Sequence, residues 1–241
     1  VGAGVCDLFA GSGCVSRRLS RNFAVTACDI QGYSKVIDNA LLNKFDVTDE
    51  NVNKFFELLY TESAEKLRVA FSPRIQMEHE AIKNKSLEVL ACILEYGSVE
   101  VFNLEHNLSC LSDQLRMVNN KLIRTGLSNE LSLISRYYGG VYFSYKQAVE
   151  IDIILETIHK SVPSNHRDLY LAALLSTASD IVDTVGKHFA QPIKARDAKG
   201  KIKSTVYNKA VKDKTIDVIA LYKDWLPVSY THLTLPTICS V

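Results

Sequence analysis

The stretch DLFAGSG, at residues 7–13, constrains this chain more than any other part of its sequence. It stands between two short apolar runs, at residues 4–9 and 23–28, and contains Gly11 and Gly13. Because glycine adopts backbone conformations that other residues avoid, the chain can leave a strand and enter a helix within a few residues, with no side chain blocking a ligand. The pattern predicts a strand, a glycine turn, a helix at 14–21, a second strand and a helix at 34–42. This order of elements is typical of the start of a doubly wound parallel sheet. In such α/β folds, ligands bind beyond the carboxyl ends of the strands.

The rest of the chain is predicted to be mostly helical. Apolar periodicity predicts further helices at residues 50–66, 75–96, 107–126, 146–160 and 165–185. Two more apolar runs predict strands, one at residues 68–71 that ends at Ser72-Pro73 and one at residues 99–104. Ser164 is placed to cap the last of these helices, and Gly186 to end it. No internal repeat and no low-complexity linker indicates a domain boundary.

The composition excludes some classes of protein. The chain has 241 residues with 28 basic and 27 acidic side chains, a net charge of +1, so the global balance indicates neither a nucleic-acid nor a membrane partner. The six cysteines form no Cys-x-x-Cys pair, which predicts reduced thiols in a cytoplasmic protein and no metal site. No apolar stretch reaches about 18 residues, so no membrane span is predicted.

The opening motif predicts a cofactor that carries a nucleoside. Backbone N–H groups at the start of a helix favour an anionic group. Asp29, at the end of the second predicted strand, is placed to accept hydrogen bonds from ribose hydroxyls. A dinucleotide fingerprint would have glycine or alanine where this chain has Ser16, which disfavours a nicotinamide-dependent oxidoreductase.

The sequence DLFAGSG resembles motif I of the S-adenosylmethionine-dependent methyltransferases. The resemblance implies a Rossmann-like methyltransferase fold with a largely helical insertion, and S-adenosylmethionine as the cofactor. It also implies a set of cofactor-binding residues: Asp7, Phe9, Ala10, Gly11, Ser12, Gly13, Asp29 and Ile30. In this reading the turn lines the methionine end of the cofactor and Asp29 holds the ribose.

Two later segments, at residues 137–152 and 168–194, resemble the adenine-specific DNA methyltransferases, the group that includes Dam-like enzymes. The chain has no Pro-Cys pair, the nucleophile motif of the enzymes that methylate carbon five of cytosine. The resemblance implies a site-specific enzyme that transfers a methyl group to the exocyclic amino group of adenine in double-stranded DNA, after flipping the base. It also implies a restriction-modification or phage-type system, with a cognate endonuclease as a candidate partner.

One departure from that family concerns catalysis. The adenine-specific enzymes carry an Asp-Pro-Pro-Tyr or Asn-Pro-Pro-Tyr motif, and this chain contains no Pro-Pro pair. No catalytic residue is therefore assigned, and this chain is expected to bind cofactor without transferring methyl groups. The expected explanation is an open reading frame cut at both ends, because the chain starts at Val1 and stops before that motif.

The last residues differ in composition from the rest. Residues 227–241 contain no charged side chain, and residues 228–237 resemble the translation of a sequencing adapter. We therefore expect a methyltransferase domain at 1–226, a DNA-recognition region within about 107–205, and a non-native segment at 227–241.

Local charge predicts where DNA would be held. Between residues 187 and 214 there are nine basic side chains and two acidic ones, in a stretch that contains a proline. Such a stretch suits phosphate contacts, and the predicted contact residues are Lys187, Lys194, Arg196, Lys199 and Lys201. An ordinary solvated loop and helix face is the alternative interpretation.

Two further functional classes remain open from the sequence. An RNA methyltransferase would share the same cofactor motif. A noncatalytic nucleic-acid-binding protein would keep the cofactor fold without the reaction, and its binding would not respond to the cofactor.

Overall fold

The computed structural model describes residues 4–99, 130–184 and 191–231, with side chains described up to Leu226. The chain begins with strand β1 (Gly4–Asp7), helix α1 (Cys14–Leu19), strand β2 (Ala24–Ala27) and helix α2 (Gly32–Leu42). The helices that follow are α3 (Asp49–Leu58), α4 (Glu62–Lys83), α5 (Leu87–Tyr96), a 3-10 turn (Glu130–Ser132), α6 (Leu133–Tyr137), α7 (Tyr145–Ser161), α8 (Arg167–Ile181), α9 (Thr205–Lys214) and α10 (Val218–Thr231). The described chain is thus mostly helical.

The predicted order of strand, helix, strand and helix at the start of the chain is confirmed. β1 and β2 pair in parallel, with Gly4 opposite Ala24 and Asp7 opposite Ala27. The pairing continues past the strands, since the Cys28 N–H donates to the Asp7 carbonyl at 2.8 Å. Within the described residues the sheet has these two strands alone.

The predicted strand at residues 68–71 is wrong, because these residues lie inside α4. Arg68 is held there by a partner far along the chain. Its Nε and Nη2 donate to the two carboxylate oxygens of Glu150 at 3.0 and 2.9 Å, and Nη2 also donates to the Leu59 carbonyl. The Arg68 side chain is partly buried on this helix by its ion pair with Glu150, which the short apolar run alone could not reveal.

Pro73, predicted with Ser72 to end a strand, lies inside α4 and does not end it. Proline has no N–H, so the carbonyl four residues earlier, at Val69, loses its usual donor within the helix. The Ser72 hydroxyl donates to that carbonyl at 2.8 Å. The serine beside the proline therefore compensates the missing bond, and α4 continues to Lys83.

Within the described residues, the other helix predictions are confirmed as helical segments, but two of them are each divided between two helices. The pattern at 50–66 divides between α3 and α4, and the pattern at 75–96 divides between α4 and α5 around a turn in which Lys85 has a φ of 53°. The two late helices are confirmed as α7 and α8, although α8 begins at Arg167 and Ser164 lies in the turn before it. The predicted helix at 107–126 and Gly186 lie outside the described residues, as does nearly all of the predicted strand at 99–104.

The chain divides into two compact units. Unit 1 is made of Val1–Phe56, Thr157–Thr177 and Ala220–Val241, and unit 2 of Glu57–Glu156 and Ala178–Ile219. Unit 2 therefore starts well before the predicted recognition region at 107–205. Of the predicted non-native segment, only 227–231 are described, as the last turn of α10.

Unit 1 contains an aromatic cluster. The Phe55 ring packs against the rings of Phe56, Tyr170 and Tyr222, and the Phe56 ring against that of Tyr222, with centroids 5.0 to 6.0 Å apart. The Tyr222 hydroxyl donates to the Tyr170 carbonyl at 3.2 Å, which satisfies its one buried polar group. Asn39 of α2 donates to the Asp168 carboxylate of α8 at 2.6 Å and links these two helices.

Unit 2 packs α4, α5 and α9 around an apolar cluster, to which Leu90, Leu94 and Val206 belong. Arg74 is fully buried in α4, and its Nη1 donates to the Gly97 carbonyl and to the Tyr145 hydroxyl. Gly140, with a φ of +83°, lies so close to Tyr145 that an added Cβ would stand 2.7 Å from the ring. In the described part of the chain no helix is long and apolar enough to cross a membrane.

Candidate functional site

The glycine turn joins β1 to α1 in unit 1. Gly11 and Gly13 both have positive φ, +54° and +71°, which is the conformation that favours glycine. The Gly13 N–H donates to the Ala10 carbonyl, and the Gly13 carbonyl accepts the first hydrogen bond of α1 from the Arg17 N–H, both at 2.8 Å. The turn is therefore a closed backbone structure set by the two glycines.

Asp29 follows β2 and closes over the turn. Its Oδ2 accepts from the Gly11 N–H at 2.9 Å, and its Oδ1 accepts from the Gln31 N–H at 2.8 Å. These hydrogen bonds, first from Gln31 and then from Gly11, lower the pKa of the Asp29 carboxyl. A carboxylate offers about four acceptor positions, so Asp29 is fixed as an anion with acceptor capacity left for a ligand.

Ser16 and Asp7 form a second pair in the turn. Ser16 is fully buried in α1, and its hydroxyl donates to Asp7 Oδ2 at 2.7 Å. Ser16, which stands where a dinucleotide fingerprint would have glycine or alanine, therefore has a structural role, because its hydroxyl holds the carboxylate at the end of β1.

Asp38 is a site residue that the sequence reasoning missed. This α2 side chain is 5% exposed, and its Oδ1 has no hydrogen-bond partner. A Cβ added at Gly13 would stand 2.6 Å from that oxygen, so the carboxyl lies directly against the turn. Burial, and then the charges of Asp7 and Asp29, raise the pKa of the Asp38 carboxyl to about 6. A signal was present in the sequence, since Asp38 stands on the buried stripe of α2 with Ser34 and Ile37.

Large apolar side chains beside the turn are exposed. Phe9 is 90% exposed and Ile30 is fully exposed, and Leu8 and Tyr33 are also exposed. Exposed apolar side chains clustered beside a polar site are typical of ligand-binding grooves. They offer contact surface for a flat, weakly polar ring.

The structure places all eight predicted cofactor residues in this part of unit 1. Ala10 and Gly13 are the buried residues among them, and the Ala10 N–H donates to the Cys28 carbonyl at 3.1 Å. The Ser12 hydroxyl donates to the Cys14 sulfur at 3.3 Å. No group of three or more His, Cys, Asp or Glu side chains among the described residues is arranged to hold a metal ion.

Comparison of the chain with protein-family models, curated proteins and solved structures finds no match. The geometry of the site is therefore the basis for interpreting its function.

Four of the five predicted DNA contacts, Lys194, Arg196, Lys199 and Lys201, lie on a short hairpin of unit 2. The Asp197 N–H donates to the Lys201 carbonyl, and the Lys203 N–H donates to the Ala195 carbonyl. Asp197 Oδ1 accepts from the Lys199 and Lys201 N–H groups, which shapes the hairpin tip. The side chains of Lys199 and Lys201 are exposed, as is that of Lys194, while Lys187 lies outside the described residues.

Arg196 differs from these lysines. Its Nη2 is 2.6 Å from Glu88 Oε2 and its Nε is 3.4 Å from Glu95 Oε2, and both acidic residues are on α5. Its backbone N–H also donates to Glu95. The guanidinium is thus occupied in joining the hairpin to α5.

Unit 2 also contains a cavity of about 690 Å³. Its wall includes a buried ion pair in which Lys214 Nζ is 3.1 Å from Glu78 Oε1. Lys214 also donates to the carbonyls of Gly140 and Phe143, and the Tyr145 N–H donates to Glu78 Oε2. Apolar side chains complete the wall: Ile75, Ile82, Ile216 and Val218. The pair therefore ties α4 to α9 and to the turn before α7.

Proposed function

We propose that unit 1 binds S-adenosylmethionine and that the chain is part of a Rossmann-like, adenine-specific DNA methyltransferase. The observation that carries the proposal is Asp29, an anion fixed by the backbone of Gly11 and Gln31 with free acceptor capacity at the end of β2. A ribose presents two neighbouring hydroxyl donors, which match such a carboxylate.

The charge of the site favours this cofactor over a dinucleotide. Asp7, Asp29 and Asp38 surround the glycine turn, and the negative charges of Asp7 and Asp29 act together on Asp38. A pyrophosphate would bring further negative charge to these carboxylates, which is unfavourable. S-adenosylmethionine carries a sulfonium and an ammonium group against a single carboxylate, so its net charge is positive and the carboxylates of the site attract it.

The chain's own residues then have separate roles. Asp29 holds the ribose and Ile30 supplies apolar contact for the adenine ring. The glycine turn with Phe9 lines the methionine end and leaves space where side chains would otherwise stand. When bound, the cofactor supplies an activated methyl group. Catalysis in the parent enzyme would consist of positioning the flipped adenine and stabilising charge at its amino nitrogen. The residues for that step belong to the Asp-Pro-Pro-Tyr motif, which this chain lacks.

The hairpin supports DNA as the partner. Lys194, Lys199 and Lys201 are exposed on one short segment and suit contacts with phosphate groups, which fix position without reading sequence. Structured RNA would satisfy the same lysines. Binding of duplex DNA in competition with structured RNA distinguishes these two candidates.

Calorimetric titration tests the cofactor proposal. We expect S-adenosylmethionine to bind and the nicotinamide dinucleotide to show no binding. Replacing Asp29 by asparagine should weaken binding of S-adenosylmethionine at least about tenfold, because a hydrogen bond to a charged acceptor contributes about 1.5–3 kcal/mol. Asp46, an exposed carboxylate of the same unit, provides the matched control in Asp46→Asn. Tighter binding of the dinucleotide than of S-adenosylmethionine would contradict the proposal.

Fluorescence anisotropy with a labelled duplex tests the DNA contacts. Replacing Lys199 and Lys201 by alanine should weaken binding uniformly across sequences and reduce the salt dependence of the binding constant by about two phosphate contacts. An unchanged salt dependence would remove the hairpin from the interface.

A further inference from the structure

Asp38 is a buried acid that the protein leaves incompletely satisfied. The side chain is 5% exposed, and its Oδ1 has no hydrogen-bond partner although it faces the glycine turn. A buried carboxylate without a partner is unfavourable when ionised. A ligand that brings positive charge to the turn would compensate it.

The surrounding charges make ionisation of the Asp38 carboxylate still less favourable. Asp7 of β1 and Asp29 after β2 act on Asp38, and both are carboxylates. Just before α1 the residue in contact is Gly13, and the basic residues of that helix, Arg17 and Arg18, are in its last turn. On α2 itself the next residue, Asn39, donates to Asp168. The field at the turn is therefore negative.

We propose that Asp38 is a specificity-determining residue that makes the site prefer the sulfonium cofactor, S-adenosylmethionine, over its neutral thioether product, S-adenosylhomocysteine. The inference rests on the proposed function of the same site. The two ligands differ by one methyl group and one positive charge. Contacts with the ribose, the adenine ring and the amino-acid group are common to both and cancel in the ratio of their affinities.

The test measures that ratio by calorimetry in the unchanged chain and in Asp38→Asn. We expect the preference for the sulfonium ligand to fall roughly tenfold in the variant, the size of a unit-charge interaction across about 10 Å at an effective dielectric constant of about 20. Asp46→Asn removes one negative charge from an exposed position of the same unit and should leave the ratio unchanged.

The pH dependence of the preference for the sulfonium ligand provides a second test, because it would not change if Asp38 had only a structural role. As the pH falls from about 8 to about 5, Asp38 takes up a proton, because its pKa is raised to about 6. The preference of the unchanged chain should therefore decline over this range. The profile of Asp38→Asn should be flatter, and should keep only the part that the other titrating groups cause.

The outcomes separate the two proposals. If neither ligand binds the unchanged chain, the proposed function and this inference both fail. If both ligands bind and Asp38→Asn leaves their ratio and its pH profile unchanged, the inference fails and the proposed function stands. Loss of fold is checked by melting temperature at about pH 8, where removal of a repelled charge should not lower it. If the variant does not fold, the pH profile of the unchanged chain decides, and a flat profile overturns the inference.

Discussion

Replacing Gly13 by alanine tests the packing of the glycine turn. Gly13 has a φ of +71°, and an alanine Cβ would stand 2.6 Å from both Asp38 Oδ1 and Leu41 Cδ1. A left-handed conformation costs a residue with a Cβ about 1–2 kcal/mol. Overpacking adds about 1–3 kcal/mol; we take the lower half, because both contacted atoms are side-chain ends that can shift. The expected loss of unfolding free energy is about 3 kcal/mol, more than about a hundredfold in the folding equilibrium.

Two other glycines of unit 1 serve as matched controls. Gly11 has a φ of +54°, but an added Cβ would meet nothing closer than 3.9 Å, so Gly11→Ala should lose about 1–2 kcal/mol from strain alone. Gly32 is the first residue of α2, has no positive φ and has open space around it. Gly32→Ala should therefore be neutral or stabilise by up to about 1 kcal/mol.

Urea unfolding followed by circular dichroism gives the free energies of all three variants. The expected order of stability is Gly32→Ala, then Gly11→Ala, then Gly13→Ala. Equal losses at Gly11 and Gly13 would refute the close contact of the turn with Asp38 and Leu41. If Gly11→Ala were as stable as Gly32→Ala, the positive φ at Gly11 would be refuted.

Two further predictions concern buried charges of unit 2. Lys214→Met should destabilise by about 3 kcal/mol in urea unfolding, because it leaves the buried Glu78 carboxylate without its ion pair; a loss below about 1 kcal/mol would contradict this. Burial raises the pKa of Asp152 to about 6 from 3.8, against the hydrogen bonds that it accepts from Ser135 and Ile134. A raised pKa means that the native state binds this proton more tightly than the unfolded state does. Protonated Asp152 therefore adds up to about 3 kcal/mol to the free energy of unfolding. This stabilisation is complete below about pH 4 and is lost as the pH rises through about 6. Asp152→Asn should remove that part of the pH dependence, and identical slopes in unfolding experiments from about pH 4 to 7 would contradict it.

The sequence predicted the local features of the fold well. The strand, glycine turn, helix, strand and helix at the start lie within a few residues of their expected ends. Each is determined by neighbours along the chain, because glycine sets the turn and short apolar runs set the strands. Asp29 could be selected for the same reason, since its position after β2 follows from the motif.

Interactions between distant residues could not be predicted. The strand predicted around Arg68 ignores Glu150, which lies 82 residues further along and holds the arginine on a helix. The run of basic residues predicts Arg196 as a DNA contact like the lysines, although it is paired with Glu88 and Glu95, 108 and 101 residues earlier. A run of basic residues in a sequence cannot distinguish the side chains that are free from those that join two elements.

Asp38 shows how a departure from local pattern can indicate function. An acid on the buried stripe of a helix opposes the apolar pattern that folds the helix, and near two other carboxylates it also opposes the electrostatics of the folded state. Burial of the Asp38 carboxylate and its repulsion by the other two carboxylates both destabilise the unit without ligand. A cation at the turn would reduce both effects. A site built for an anion would reverse that balance, because each phosphate would add to the repulsion. The buried Asp38 carboxylate, together with the negative charges of Asp7 and Asp29, therefore favours a positively charged ligand at the turn over a pyrophosphate.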